Sequence, residues 1–266
     1  MSKTNERVKD DKLVSIICPS YNTASYISAT IESVLNQTYM NWEMMIVDDN
    51  STDNTDEIVA KYMAQDSRIR YIKNSTHCGA ALTRNCALRE ARGRWIAFLD
   101  SDDLWEPDKL EKQICFMEEN GYAFSYTCYS EMDADGNATG IQVSGPAKIT
   151  KLGMYAFCWP GCLTVMYDAS VIGLIQIEDI KKNNDYAMWL QVCRKANCYL
   201  LPLNLARYRR GRSGSVSSHG ITTKIKWHYK LFHKAEKMSV VSSLLHTVVN
   251  IVFGACKKIR YVKKIS

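Results

Sequence analysis

The sequence predicts an α/β domain built around a largely parallel β-sheet. In its first half, short apolar runs alternate with segments whose apolar residues recur at helical spacing, the pattern of strands and helices in such a sheet. Three of the apolar runs lead directly into acidic or amide-rich clusters, at 19–22, 48–51 and 100–103. Because ligands bind beyond the carboxyl ends of strands in open α/β sheets, these clusters predict where a site lies.

The first strand is predicted at 14–18, where Pro19 ends an apolar run. A helix follows, because four apolar residues recur at helical spacing. These residues are Ile27, Ile31, Val34 and Leu35. The second strand, at 42–47, runs into a polar cluster at 48–53 that suits a loop and the N-cap of the next helix.

A third strand is predicted at 69–72, and the stretch 80–92 is rich in good helix formers. Gly93 then stands where a helix C-cap is expected. A fourth strand at 95–99 leads into Asp-Ser-Asp-Asp, and Pro107 opens the next helix.

The second half is less regular. We predict strands at 122–129 and 163–167, a loop or hairpin edge at 136–151, and a helix from Asp185 to about residue 196. The segment 207–219 is basic and then rich in Gly and Ser, which is typical of a mobile loop. From residue 225 onward the chain is predicted to be helical.

Composition limits the class of protein. The chain has 266 residues, of which 46% are hydrophobic and 23% charged, so wholly disordered, collagen-like and coiled-coil proteins are excluded. No CxxC pair occurs among the ten cysteines and the first eleven residues lack an apolar signal segment, which favours free, buried thiols in a reducing compartment. The net charge of +6 is uneven: residues 224–266 carry ten Lys and Arg and one Glu, a charge of +9, which leaves −3 for the remainder.

Two carboxylates at the end of the fourth predicted strand suit a divalent cation. Asp100 and Asp102 are two residues apart, so in extended backbone they face the same side. Mg²⁺ and Mn²⁺ take such oxygen ligands and complete their coordination with water and substrate phosphates. The alternative is that Asp102 or Asp103 caps the helix near Pro107.

Asp49 and Arg84 are further candidates. An acidic side chain after the second strand can accept hydrogen bonds from a base N–H or a ribose hydroxyl, or can form a turn and cap the next helix. Arg84 lies on a helix otherwise filled with Ala, Leu and Cys. It is either a partner for a phosphate or carboxylate, or a surface cation whose stem covers apolar neighbours.

The order of these segments resembles the family 2 glycosyltransferases. The resemblance is continuous over about residues 13–120, and the runs that carry it are VSIICPSYN at 14–22, SVLNQT at 33–38, VDDNSTD at 47–53, ALTRN at 81–85, FLDSDD at 98–103 and PDKL at 107–110. The segment IKKNNDYAMWL at 180–190 is similar to the subgroup that builds bacterial teichuronic-acid, capsular and O-antigen polysaccharides. The resemblance implies the GT-A fold and an inverting, nucleotide-sugar-dependent enzyme.

The resemblance also implies roles for individual residues. Those expected to border the nucleotide sugar are Pro19, Tyr21, Asn22, Arg84, Asp100 and Ser101. Asp49 would accept a hydrogen bond from the uracil N–H, which favours a UDP-linked donor. Asp102 would bind the divalent cation, Mn²⁺ or Mg²⁺, that bridges the donor diphosphate.

Asp185 is the implied catalytic base. In the family this base often follows a Glu at a helix start, but here Asn184 stands in that place, and Asp179 is the fallback candidate. The loop 207–219 would close over the diphosphate, and His219 would either reach the metal or be an ordinary surface histidine. The stretch 159–162 either lines the acceptor site or makes an aromatic core contact.

The C-terminal tail is predicted to form an amphipathic helix. Its apolar stripe is Val241, Leu244, Leu245, Val248 and Val252, and its polar stripe is Ser239, Ser243, His246 and Asn250. Five cations follow, at 257–264, which suits an anchor at an anionic membrane surface. The alternative is that the apolar stripe packs against the catalytic domain or another subunit. We expect the apolar stretch to be too short and too polar to span a membrane.

These expectations divide the chain into an extension at 1–12, a GT-A domain at 13–223 and a basic tail at 224–266. Within the domain, 13–120 would be the nucleotide-sugar half and 121–223 the acceptor half. The predicted function is transfer of a sugar from a UDP-linked donor to a lipid-linked glycan, at the inner-membrane surface of the cytoplasm. The alternatives are a nucleotidyltransferase and a non-catalytic membrane-binding protein. Nucleic acid is not an expected partner, because the acidic strand ends would repel its phosphates.

Overall fold

A computed structural model describes residues 10–211 and 221–265 and contains the predicted parallel sheet. Its four parallel strands are β1 (Asp10–Ser20), β2 (Trp42–Asp48), β3 (Ile69–Lys73) and β4 (Gly93–Phe98), in the spatial order β3-β2-β1-β4. Every residue of β2 is buried, as expected for a central strand covered on both faces. The strands predicted at 14–18, 42–47, 69–72 and 95–99 are thus confirmed.

Helices connect these strands and cover both faces of the sheet. They are α1 (Ile27–Leu35), α2 (Thr55–Met63), α3 (Ala80–Glu90) and α4 (Lys109–Asn120). Two apolar clusters result, one on each side: Ile16 and Met44 belong to the first, and their neighbours in sequence, Ile17 and Met45, belong to the second. Adjacent strand residues point to opposite faces, so uninterrupted apolar runs fill both clusters.

The rest of the chain extends the sheet with strands that pair both parallel and antiparallel. The strands are β5 (Leu104–Trp105), β6 (Phe124–Met132), β7 (Ala138–Val143), β8 (Lys148–Ile149), β9 (Met166–Asp168) and β10 (Cys198–Arg209). The helices between them are α5 (Lys151–Ala156), α6 (Ala169–Ile172) and α7 (Asn184–Val192). β9 lies antiparallel between β4 and β6, and β10 runs parallel to β6.

Three local expectations are wrong. The strand expected at 163–167 starts later, because residues 162–164 form a 3₁₀ turn. The loop expected at 207–219 does not include residues 207–209, since Arg207 and Arg209 are paired with β6; its residues from 212 onward lie outside the described part of the chain. Gly93 does not cap α3, which ends at Ala91 in extended conformation.

Gly93 is needed for a different reason, the close approach of β4 to β1. A Cβ atom at this position would stand 2.5 Å from the carbonyl oxygen of Leu13 and 2.8 Å from the backbone nitrogen of Ser15. Both atoms belong to the backbone of the neighbouring strand, so no side-chain movement relieves the clash. Glycine therefore allows the two central strands to pair at this point.

The tail forms α8 (Ile221–Lys230), a π-helical segment at Leu231–Ala235, α9 (Val240–Tyr261) and β11 (Val262–Lys264). β11 pairs antiparallel with β7, so the tail is joined to the sheet. One described helix, α9, is long and apolar enough to cross a membrane by length and composition, and the expectation that it is too short is wrong.

α9 turns its polar face toward the domain, whereas the packing alternative requires its apolar face to be there. The polar residues Ser243, Thr247 and Asn250 are buried against the domain. The predicted apolar stripe remains 53 to 77% exposed. Asn250 donates a hydrogen bond to the Tyr186 hydroxyl at 2.7 Å, which attaches α9 to α7. The apolar stripe therefore does not pack against the catalytic domain.

All ten cysteines lie in the described residues and none forms a disulfide, as expected. Five of them, including Cys18 and Cys162, are buried, whereas Cys115 and Cys256 are exposed. Buried thiols of this kind contribute to packing as small apolar side chains.

Candidate active site

The three polar clusters meet at the carboxyl edge of the parallel sheet, as expected. In the β1–β2 register Ser20 lies beside Asp48, and the Asp49 N–H donates to the Ser20 carbonyl at 2.8 Å. β4 lies on the other side of β1, so the cluster that begins at Asp100 is at the same edge. The sheet order thus brings together segments that are far apart in the sequence.

Asn22 joins the first two clusters. Its backbone N–H donates to the Ser51 hydroxyl at 2.8 Å, and its side-chain oxygen accepts from the Thr52 N–H at 2.9 Å. Its φ angle is +50°, in the left-handed region where Asn is among the more favourable residues. Pro19 is half-buried and Tyr21 is exposed beside this junction, so both are accessible to a ligand.

Asp49 is surrounded by hydrogen-bond donors at the start of α3. Its carboxylate accepts from the backbone N–H groups of Cys78 and Gly79, at 2.8 and 2.7 Å, and from the Asn74 amide at 3.1 Å. Burial by itself would raise the pKa of Asp49, but these donors hold it below its ordinary value. The His77 ring nitrogen, 2.9 Å from the carboxylate, lies on the exposed side of this group. Asp49 is thus an ionised acceptor, and His77 is the partner most open to replacement by a ligand.

Residues 100–103 form a turn rather than the extended segment that we expected, since the Asp103 N–H donates to the Asp100 carbonyl. Asp100 and Asp102 are partly exposed, whereas Ser101 and Asp103 are buried. Two carboxylates are therefore accessible at this strand end, and Ser101 is enclosed between them.

The capping alternative for this cluster is wrong. α4 has its N-cap at Asp108, and Asp103 instead accepts from the backbone N–H of Arg209 in β10 at 2.8 Å. Burial, together with the charges of Asp102 and Asp100, raises the pKa of Asp103. The Arg209 side chain donates to the Asp102 carbonyl at 2.8 Å. β10 thus fixes the turn that presents Asp100 and Asp102.

Arg84 connects two parts of the site. Its Nη2 donates to Asp100 at 2.5 Å, and its Nη1 donates to the Asn184 side-chain oxygen at 2.7 Å. Its side chain is only 7% exposed, so the alternative of a surface cation is wrong. Because α3 and α7 are about 100 residues apart in sequence, only the fold brings these groups into contact.

Asp185 lies in the first turn of α7, beside this network. Its side chain is partly exposed although protein surrounds it, as at the floor of a cleft. Burial raises the pKa of Asp185, and the nearby guanidinium of Arg84 offsets part of the rise. Asp179, the fallback candidate, is fully on the surface. A carboxylate with a raised pKa in a cleft is suited to accept a proton.

The oxygen donors at this edge fit a divalent cation. Asp100 pairs with Arg84, and Asp102 is the other partly exposed carboxylate of this turn. Within 10–211 and 221–265 no three acidic, Cys or His side chains form a metal-binding cluster. Two carboxylates without further protein ligands suit Mg²⁺ or Mn²⁺, because these ions keep water ligands and take others from phosphates. His219, the other expected ligand, lies outside the described residues.

Sequence reasoning missed two residues near these groups, His77 and Lys257. His77 has no motif around it, although the ring of exposed Tyr21 lies 4.3 Å from its own. Lys257 was read as one cation of the tail, but its amine donates to the Trp159 carbonyl at 2.7 Å. The Trp159 ring itself packs on Phe253 and Tyr261, which is the aromatic core contact weighed for 159–162.

Comparison with known proteins shows the family of this chain. Residues 15–155 match the model of the family described as Glycosyl transferase family 2. TuaG of Bacillus subtilis, whose name assigns it to teichuronic acid biosynthesis, is 43% identical over 216 residues, which are 81% of this chain and 86% of TuaG. WfgD of Escherichia coli is named as a UDP-Glc:α-D-GlcNAc-diphosphoundecaprenol β-1,3-glucosyltransferase. It is 41% identical over 220 residues, 82% of this chain and 85% of WfgD.

Among solved structures, residues 1–349 of TarS from S. aureus in complex with UDP-GlcNAc share the fold. The TM-score is 0.68 with 20% sequence identity, over 93% of this chain and 76% of that one. At this identity the likeness concerns the fold alone, and it agrees with the GT-A architecture that the sequence resemblance implied.

Proposed function

The chain belongs to glycosyl transferase family 2, and from this premise we propose that it transfers a sugar from a UDP-linked donor to a hydroxyl of a lipid-linked glycan. The product would be an intermediate of a bacterial cell-surface polysaccharide such as a capsule, O-antigen or teichuronic acid. TuaG and WfgD support this assignment, because both are similar to this chain over most of their length: the name of TuaG specifies teichuronic acid biosynthesis, and the name of WfgD specifies a UDP-linked donor and a lipid-linked acceptor. Because the chain belongs to this family, the two alternative functions, a nucleotidyltransferase and a non-catalytic membrane-binding protein, are not supported.

The observation that carries the proposal is the pair of hydrogen bonds by which Arg84 links Asp100 to Asn184. It holds the strand-end carboxylates, where the nucleotide would lie, at a fixed position relative to Asp185, where the acceptor would lie. Transfer in one displacement requires the donor and the base on opposite sides of the anomeric carbon. A rigid link between the two groups supports this geometry.

The proposed reaction is a single displacement with inversion. Asp185 accepts the proton of the acceptor hydroxyl as its oxygen bonds to the anomeric carbon of the donor sugar. The bond from that carbon to the UDP oxygen breaks, and UDP leaves with the electron pair. One carboxylate base suffices here, whereas a hydrolase would need two opposed carboxyl groups.

The remaining groups would bind the donor. Asp49, held ionised, would accept from the uracil N–H on the side where His77 now lies, while Pro19, Tyr21 and Asn22 border the base. Asp102 would hold Mg²⁺ or Mn²⁺, which would supply charge stabilisation to the departing diphosphate. The segment expected to close over the diphosphate lies, from Arg212 onward, outside the described residues.

Turnover of UDP-sugars tests the proposal. We expect UDP release from at least one UDP-sugar with a GlcNAc-diphosphate-lipid acceptor, and its loss on chelation of divalent ions. Two matched variants, Asp102→Asn and Asp135→Asn, each remove one negative charge. Asp135 is exposed in the β6–β7 turn, so a loss of turnover in Asp102→Asn alone would be an effect of the site and not of the net charge. Equal turnover in the two variants would contradict the role of Asp102, and turnover only with GDP-sugars would contradict the donor.

We also propose that the exposed face of α9 lies on the anionic inner-membrane surface. Its five apolar stripe residues project away from the domain, and Lys258, Arg260, Lys263 and Lys264 are exposed at its C-terminal end. An apolar face with clustered cations is the pattern of a helix lying in the membrane interface. The buried Ser243, Thr247 and Asn250 favour this placement over a spanning helix, whose whole circumference would meet lipid or other helices.

Liposome flotation tests this placement. We expect the full chain to float with vesicles containing anionic lipid, and the Leu244→Gln, Leu245→Gln double variant to lose most of this binding. The control is Ile225→Gln, a partly exposed apolar residue of α8. Equal flotation of all three proteins would exclude the membrane role of this face. Concentration-dependent dimerisation without flotation would assign the face to another subunit.

A further inference from the structure

The tail helix contributes a cation to the acceptor side of the cleft. Lys257 lies near the C-terminal end of α9, and its amine donates to the Trp159 carbonyl at 2.7 Å. The helix approaches this segment closely: a Cβ atom on Gly254 would stand 3.0 Å from the Phe157 ring. Lys257 thus points toward the domain, whereas the adjacent Lys258 is exposed.

The Lys257 amine has no carboxylate of its own. None of the ion pairs formed by the described residues includes it, and its partner is a neutral carbonyl. Protein surrounds the amine, yet the residue remains partly accessible to solvent. An ammonium group in such a place, with two N–H donors left, is suited to an anionic ligand.

Burial lowers the pKa of Lys257; of two nearby charged groups, Arg210 lowers this pKa further and Asp185 raises it. Arg210 follows β10 and lies over the ring of Tyr208, which contacts Tyr129. Tyr129 in turn lies against Gly161, two residues from the carbonyl that Lys257 binds. Arg210 is itself paired with the Glu131 carboxylate at 2.6 Å. Among the described cations of this region, Lys257 is therefore the one whose charge no ion pair neutralises.

We propose that Lys257 binds the diphosphate of a lipid-linked acceptor. The inference rests on the proposed function, because it places the acceptor at Asp185. The apolar face of α9 would lie in the membrane, so a lipid chain beside it would bring its diphosphate to the C-terminal end of the helix. One helix would then both dock the enzyme on the bilayer and hold the charged group of the acceptor.

The donor diphosphate is the other group that the Lys257 amine could bind, and ligand-binding measurements distinguish the two possibilities. We would titrate the full chain with farnesyl diphosphate, as a soluble lipid diphosphate, and with UDP. In Lys257→Gln we expect the affinity for farnesyl diphosphate to fall about 10- to 100-fold, the range for a lost hydrogen bond to a charged group. We expect the affinity for UDP to stay unchanged.

Two further variants complete the test. Lys258→Gln removes the same charge one residue away and should bind farnesyl diphosphate like the unmodified chain, whereas Lys257→Arg should restore most of the binding. If Lys257→Gln fails to fold, Lys257→Met replaces it, since it keeps an unbranched apolar stem against Phe157. Thermal unfolding of each variant monitors the fold.

The outcomes are distinct. Equal losses in Lys257→Gln and Lys258→Gln, or no loss in either, would overturn the proposal. A loss of UDP affinity in Lys257→Gln would assign the cation to the donor and also overturn it. Failure of UDP and UDP-sugars to bind the unmodified chain would instead contradict the proposed function, because farnesyl diphosphate binding is measured without any sugar transfer.

Discussion

Replacement of Arg84 by Met should both destabilise the fold and change the pH dependence of transfer. The substitution keeps the unbranched stem but removes the two hydrogen bonds to Asp100 and Asn184. Asn184 is buried, so its orphaned oxygen costs about 1–3 kcal/mol. The Asp100 side chain is 30% exposed and recovers hydration, so its lost ion pair adds only about 1 kcal/mol or less.

A total loss of about 1–4 kcal/mol in the free energy of unfolding follows, and urea denaturation measures it. The control is Arg89→Met on the same helix, where the arginine is exposed and a change within about 0.5 kcal/mol is expected. A loss in Arg84→Met no larger than in this control would refute the reasoning.

The same variant tests the link to the base. Burial raises the pKa of Asp185 and Arg84 lowers it, so removal of the guanidinium should raise this pKa further. Because the base acts in its ionised form, the acidic limb of the profile of kcat/KM against pH should move to higher pH. An unchanged or lower midpoint would show that Arg84 does not act on the base.

Three further predictions concern the base, the sheet and the tail. Asp185→Asn should lower kcat by about 10²- to 10⁴-fold in a UDP-release assay, and should raise the melting temperature at pH 7, because a buried acid with a raised pKa is destabilising once ionised. Gly93→Ala should destabilise the protein by at least about 1–3 kcal/mol in urea denaturation, since the new Cβ meets the Leu13 carbonyl at 2.5 Å. Asn250→Ala should cost about 1–2 kcal/mol in the same assay, because it leaves the buried Tyr186 hydroxyl without its donor.

Each of these predictions has a matched control. Asp179→Asn changes an exposed acid near α7 and should leave kcat unchanged. Gly153→Ala lies in α5, where a Cβ atom would have ordinary contacts at 3.5 Å, so it should not destabilise. Val248→Ala alters the exposed face of α9 and should cost little. If a control variant changed the measured quantity as much as the variant with which it is paired, the physical cause given for that variant would be wrong.

The sequence alone determined the parallel half of the fold and the edge where the site lies. Uninterrupted apolar runs predicted the central strands, because strands covered on both faces need apolar side chains at every position. The clusters after those strands had to meet, because parallel strands end at one edge. The candidate base at Asp185 came from the family resemblance, and the structure adds a buried setting with a raised pKa, a property that a motif cannot supply.

Only the tertiary structure decided which partner each polar group has. The pattern of α9 distinguishes an apolar stripe from a polar one, yet it cannot tell which of them faces the domain. The polar stripe is the buried one, because Asn250 finds the Tyr186 hydroxyl, a group 64 residues away in sequence. Lys257 likewise looked like one tail cation among five. Consecutive helix residues point in different directions around the helix axis, so the Lys257 amine faces the domain and the Lys258 amine faces solvent.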